Sequence, residues 1–175
     1  MAPSHATQTP LRHVQPPVTP VPSVVTLTRP AFETIQQTCR AAHDGYETGG
    51  ILLGHQHDDR RLVVTTAGDP GPQAVRQRAS FRRDQAHAQA LADAAWSHDR
   101  SVWLGDWHTH PRGPVQPSPV DLRTYLALMR DPELGFSTFL ALIVLPGTSQ
   151  PSLFPWVITE SEGVCLPLMV DAASK

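Results

Sequence analysis

The hydrophobic and polar positions of this chain divide it into a patternless beginning and a long periodic remainder. Residues 1–24 combine many prolines with Ser and Thr and show little apolar periodicity, which predicts an extended or disordered arm. The folded domain is expected over residues 25–171. From Arg29 to His43, Pro30 stands near a helix start and Phe32, Ile35 and Ala42 follow as apolar positions, so a first helix should close before Asp44-Gly45. Thr48–Gly54 and Arg61–Thr66 flank the polar turn His57-Asp58-Asp59-Arg60, which predicts a central antiparallel hairpin. Glycines inside its first strand signal the close approach of another backbone or of a ligand.

After the turn-rich Gly68–Pro72, Val75–Arg83 reads as one short basic strand at an edge, with Phe81 facing inward. Asp84 then caps a helix through about His98, whose narrow apolar stripe is Ala86, Ala90, Leu91, Ala94 and Ala95. Val102-Trp103-Leu104 opens a buried strand. Ser118 occupies an N-cap position with Pro119 at the first helical residue, predicting a helix to about Arg130. Phe139–Leu145 reads as a buried strand, and Leu153–Thr159 with Val164–Val170 as a hairpin turning at Ser161-Glu162-Gly163. Helices and strands mixed without regular alternation predict an α+β domain, a curved and mostly antiparallel β-sheet flanked by helices.

Composition narrows the class. At 175 residues one domain suffices to bury a core, and a net charge of -2 gives no basic excess to advertise nucleic-acid binding. Cys39 and Cys165 lie far apart, in no metal- or disulfide-type spacing, which fits a reducing cytoplasm. No apolar run approaches the roughly 20 residues needed to span a bilayer, and no export signal is visible at the N-terminus. Lys175 is the only lysine, a bias toward arginine that fits a GC-rich genome.

Chemistry concentrates in one stretch, Trp107-His108-Thr109-His110-Pro111 followed by Ser118-Pro119-Val120-Asp121. Histidines at i and i+2 of an extended strand share a side, so His108 and His110 can hold one ion. The turn-forming loop between the two parts returns the chain toward that ion, and Asp121 is the third ligand. Three N/O ligands leaving a fourth position open make a catalytic zinc site rather than a structural one. A Ser-x-x-Asp pair alone is ordinary helix capping; the adjacent His-x-His pair is what points to a metal. A zinc hydrolase also needs a proton acceptor outside the ligand set, and Glu47, at the mouth of the Gly-rich strand, is the candidate.

Glu47-Thr48-Gly49-Gly50-Ile51-Leu52-Leu53-Gly54, His108-Thr109-His110-Pro111 and Ser118-Pro119-Val120-Asp121 together resemble the JAMM motif of MPN-domain zinc isopeptidases, over about residues 25 to 170. Gly71-Pro72, Ala79–Asp84 and Gly105-Asp106 before the histidines are similar to the prokaryotic branch of that family. The resemblance implies an MPN, cytidine-deaminase-like layout, with one zinc on His108, His110 and Asp121. It implies Glu47 as the base and Ser118 as a donor to the oxyanion, worth about 3 kcal/mol. The implied substrate is a ubiquitin-like protein or protein conjugate. The implied company is ubiquitin-activating-like and ubiquitin-conjugating-like enzymes of the same operon, some in antiphage systems.

Trp107 is expected in the core, because neighbouring strand positions face opposite ways. Arg112 reads as a solvated loop residue or a contact to a substrate carboxylate or carbonyl. His55 and His57 read as solvated residues near a turn. Three other readings share parts of the pattern: a noncatalytic MPN-type scaffold, against which the intact motif speaks; a DNA-repair-associated relative, which usually has Asn where Thr109 stands; and a small-molecule or cell-wall metallopeptidase, against which the missing export signal counts.

Overall fold

Side chains alternate across the central strands, and here both faces are apolar. Leu52, Leu104, Trp107, Leu140 and Leu142 enter one cluster, while Ile51, Leu53, Trp103, Phe139 and Ala141 enter another on the opposite face. Such strands read as continuous hydrophobic runs because each residue is covered on one side or the other. The computed structural model describes residues 21–57 and 60–171. In chain order the elements are β1 (Val24–Leu27), α1 (Arg29–Ala41), β2 (Gly49–Gln56), β3 (Arg61–Ala67), β4 (Val75–Arg76), β5 (Phe81–Arg82), α2 (Gln85–Asp99), β6 (Val102–Thr109), α3 (Pro119–Met129), β7 (Phe139–Leu145), β8 (Ser152–Ile158), β9 (Gly163–Cys165) and β10 (Leu168–Val170).

Eight strands form one mixed sheet in the order β10-β1-β3-β2-β6-β7-β8-β9. Antiparallel pairings outnumber parallel ones, which are β1 with β10, β1 with β3, and β6 with β7. Phe32 and Ile35 of α1 pack into the first cluster; Ala88 and Ala92 of α2 and Tyr125 and Met129 of α3 pack into the second. The α+β class, the curved sheet and the flanking helices therefore stand. No helix among the described residues is long and apolar enough to cross a membrane.

Helix starts follow the capping chemistry. Thr28 accepts from the Ala31 amide, Asp84 from the His87 amide and Ser118 from the Asp121 amide, the last within a reciprocal capping box. α1 ends at Ala41, two residues short of the expected His43. Residues 1–20 of the expected arm lie outside the described residues, and sheet contacts begin inside its last part. β1 starts at Val24, and the Ser23 amide donates to the Arg60 carbonyl at 2.8 Å.

Two strand expectations are corrected. Val75–Arg83 is not one strand: it folds on itself as the β4–β5 ribbon, closed by the Gln77 amide donating to the Ser80 carbonyl at 2.9 Å. Phe81 is only half-buried and lines a cleft rather than the core. Val164–Val170 is likewise two strands, broken at Leu166-Pro167. Proline has no amide for the ladder, so the chain leaves β8 there and β10 crosses to pair with β1. The Leu166 amide donates to Pro155 and the Pro167 carbonyl accepts from Val25, so this link bridges the two ends of the curled sheet.

Candidate active site

The site lies where β2 and β6 run antiparallel, with Gly49 opposite His108. A Cβ on Gly49 would collide with the Trp107 carbonyl oxygen, so the approaching backbone anticipated from the glycines is β6 itself. Thr48 and Thr109 lock this end: the Thr109 amide donates to the Thr48 carbonyl at 2.7 Å and the Thr48 amide to Thr109 Oγ1 at 2.9 Å. The residue between the two histidines thus joins their strand to the residue that follows Glu47. On the opposite face Trp107 is fully buried and donates through Nε1 to the Gly68 carbonyl at 2.8 Å, as its expected core role requires.

His108, His110 and Asp121 converge. Their ligand atoms lie within 4.8 Å of one another, and the two histidine Nε2 atoms are 2.9 Å apart. Asp121 Oδ2 stands 3.5 Å from His108 Nε2 and 3.6 Å from His110 Nε2. His110 Nδ1 lies 2.8 Å from the Pro114 carbonyl, which can only accept, so Nδ1 carries hydrogen and Nε2 can turn a lone pair inward. His108 Nδ1 faces Tyr125 Oη at 3.4 Å, and the buried phenol, held well above its ordinary pKa first by burial and then by nearby carboxylates, stays neutral.

The carboxyl and the imidazoles shift one another's ionisation. Burial pushes the Asp121 carboxyl up, but hydrogen bonds from His108 and His110 outweigh it and hold the group well below the usual carboxylate range. His110 is opposed by burial yet raised overall, by Asp121 and the Pro114 carbonyl. Both shifts follow from the closeness of the carboxylate to the two imidazoles. Two imidazole nitrogens, one carboxylate and outer hydrogen bonds that fix ring orientation fit a divalent metal.

Glu47, Ser118 and Arg112 line the same cleft of about 820 Å³ as the ligands. Burial raises the Glu47 pKa, and His108 and His110 partly offset it. Ser118 Oγ accepts from the Asp121 amide at 3.2 Å and its own amide donates to Asp121 Oδ2 at 2.7 Å. The capping pair and the candidate metal site are therefore one arrangement, in which the Ser118 side chain also helps to hold the Asp121 carboxyl low.

Tyr125 and Arg76 had no legible signal, and Asp106 was legible only as part of the motif before the histidines. Tyr125 orients His108. Arg76 clamps the segment before Glu47, reaching both Asp44 carboxylate oxygens at 2.9 Å and the Glu47 carbonyl at 3.2 Å. Asp106 shares the cleft and binds Arg83 at 2.6 Å, with the guanidinium 5.0 Å from the centre of the Trp103 ring. A bulge opposite Leu52/Leu53 brings Trp103 to the face of Asp106 and His108, and Trp103 Nε1 donates to Asp106 at 3.1 Å. His55 and His57 do not join the metal cluster. His55 is half-buried in β2 and its Nε2 lies 3.2 Å from Ser101 Oγ, which corrects the solvated reading.

A curled sheet with a His-His-Asp cluster at the β6–α3 junction defines a metallohydrolase scaffold. A solution structure of a protein from Desulfitobacterium hafniense shares the fold at a TM-score of 0.65, covering 85% of this chain and 94% of that one at 21% identity. The family described as prokaryotic homologs of the JAB domain matches residues 28–159. A probable metalloprotease of Sinorhizobium fredii is 32% identical over 116 residues, 65% of this chain and 70% of that protein. A CD-NTase/cGAS isopeptidase of Pseudomonas aeruginosa is 31% identical over 137 residues, 70% of this chain and 84% of that protein. The chain belongs to the prokaryotic JAB family, and it is a hydrolytic metalloprotease.

Proposed function

We propose that this protein is a zinc isopeptidase that releases a protein target from the C-terminal tail of a ubiquitin-like or otherwise conjugated partner. The observation that carries the reading is the convergence of His108, His110, Asp121, Ser118 and the half-buried Glu47 on one cleft. The CD-NTase/cGAS isopeptidase relatives support a protein conjugate as substrate. A conjugation or antiphage system is the setting this reading favours.

His108, His110 and Asp121 would hold the zinc. The chemistry supplied by zinc at such a ligand set is polarisation of the scissile carbonyl and acidification of water. Glu47, outside the ligand set, takes the proton from the attacking water on its carboxylate and returns it to the departing amine. Its raised pKa suits both transfers, since the group must gain and lose the same proton in one turnover. Ser118 Oγ–H donates to the developing oxyanion while its lone pair stays on the Asp121 amide. Tyr125 and the Pro114 carbonyl keep the two imidazoles oriented.

The direct test is cleavage of ubiquitin-like proteins isopeptide-linked through their tails, comparing the zinc-loaded wild type with Glu47→Gln. Release after the donor's last residue by the wild type alone is the expected result. Equal release by both proteins, or activity that survives metal chelation, rejects the mechanism.

A further inference from the structure

The cleft is bordered by two kinds of arginine. In the nine residues Val75–Arg83 there are four arginines and no acid. Arg76 and Arg83 are committed as anchors, to Asp44 and Asp106 respectively. Arg78 and Arg82, on the same ribbon, are exposed, line the cleft and make no ion pair among the described residues. Arg112, exposed on the loop after His110, lines that cleft as well and is also unpaired among the described residues.

Three of the four carboxylates lining the cleft are engaged: Asp106 holds Arg83, Asp84 accepts from the Gln73 and His87 amides, and Asp121 faces the two histidines. Glu47, the fourth, is half-buried. Among the described residues the fully exposed charges lining the cleft are therefore positive, although the whole chain carries a net charge of -2. Basic residues of a bound tail would meet like charge; acidic residues would find guanidinium forks suited to carboxylates.

We propose that the cleft selects protein substrates with an acidic tail beside the scissile bond, gripped by Arg78, Arg82 and Arg112. This rests on the isopeptidase reading and specifies its substrate class. Single-stranded nucleic acid offers the same charge, but sequence-tolerant binding of it depends on aromatic platforms for the bases. Here Trp107 and Tyr125 are buried and Phe81 is half-buried, so the acidic peptide is favoured. Each exposed carboxylate–guanidinium contact contributes a factor of about two to five, so three together give a preference of about tenfold or more at low salt.

The test uses full-length Glu47→Gln protein and fluorescein-labelled short peptides with acidic, neutral or basic residues before a common Gly-Gly end. Fluorescence anisotropy should show the acidic peptide binding about tenfold tighter than the neutral one, with the gap shrinking as salt screens it. Arg78→Glu with Arg82→Glu should transfer the preference to the basic peptide. Arg40→Glu, at an exposed position near the end of α1 and outside the cleft, should change nothing. Equal binding of acidic and neutral peptides, a preference that survives the double variant, or tighter binding of a short single-stranded RNA overturns the proposal. Wild-type cleavage of conjugates carrying the same tails separates the two readings: equal rates for acidic and neutral tails overturn only this one, whereas cleavage of none overturns the isopeptidase reading and this one with it.

Discussion

The two walls of the cleft are built differently. On one wall, His108, His110, Ser118 and Asp121 come from a single strand–loop–helix passage, whose loop and helix are fixed by contacts of short sequence range, the capping box and the His110 bond to Pro114, while its strand is paired with β2 and β7. On the other, Glu47 and the β4–β5 ribbon meet through partners far apart in sequence. The Glu47 amide donates to Gln77 at 2.8 Å, and Arg76 spans back to Asp44, Tyr46 and Glu47. The loop and cap of the metal wall set its last part once β6 is seated in the sheet. The base wall depends on the clamps that tie it to the ribbon, and those clamps lie partly in solvent.

The largest expected effect separates the walls by their metal dependence. His108→Ala should lose both metal and turnover, measured by metal content per chain alongside cleavage, because it removes one of the three proposed ligands. Glu47→Gln should keep the metal and lose roughly a hundred- to ten-thousand-fold in rate, since it removes only the base. The sign of the pH dependence follows from Glu47 being raised: the base works when deprotonated, so activity is lost as pH falls through its folded pKa. A pH–rate profile of kcat/KM reads that acid limb directly.

Smaller effects test the links within each wall. Ser118→Ala should cost roughly a hundredfold in kcat by removing the oxyanion donor, and about 1 kcal/mol of stability in a denaturant titration by removing the cap. If stability falls but kcat holds, Ser118 is a capping residue alone. Arg76→Ala should leave metal content unchanged and lower activity by about tenfold, short of the roughly hundredfold cost of gross misplacement. Metal loss in that variant would show that the walls are not independent.

The contrast also explains what the sequence could reveal. Asp84 and Ser118 were legible as caps because capping is decided within three residues, and His108, His110 and Asp121 because their spacing is local. Phe139–Leu145 was legible as a continuous apolar run. The ribbon was not, since Val75–Arg83 carries no turn glycine and its pairing depends on Glu47 and Asp106 elsewhere. Nor was the β6 bulge, where Gly105 has a φ of 156° and leaves no room for a Cβ against the Leu140 carbonyl. Tyr125 looked like any apolar-face residue of α3, because its distinguishing partner comes from another element.

The pairing of Val25 with Leu168 has a consequence for how the molecule is made. Among the described strands β1 is the first to leave the ribosome, and one of its two neighbours in the sheet, β10, is the last. Until β10 emerges, β1 can be covered only on its β3 side, leaving a row of backbone donors and acceptors open to another chain. Closure of the sheet is thus a late event in synthesis, and the interval before it is when the nascent protein is most exposed to misassociation.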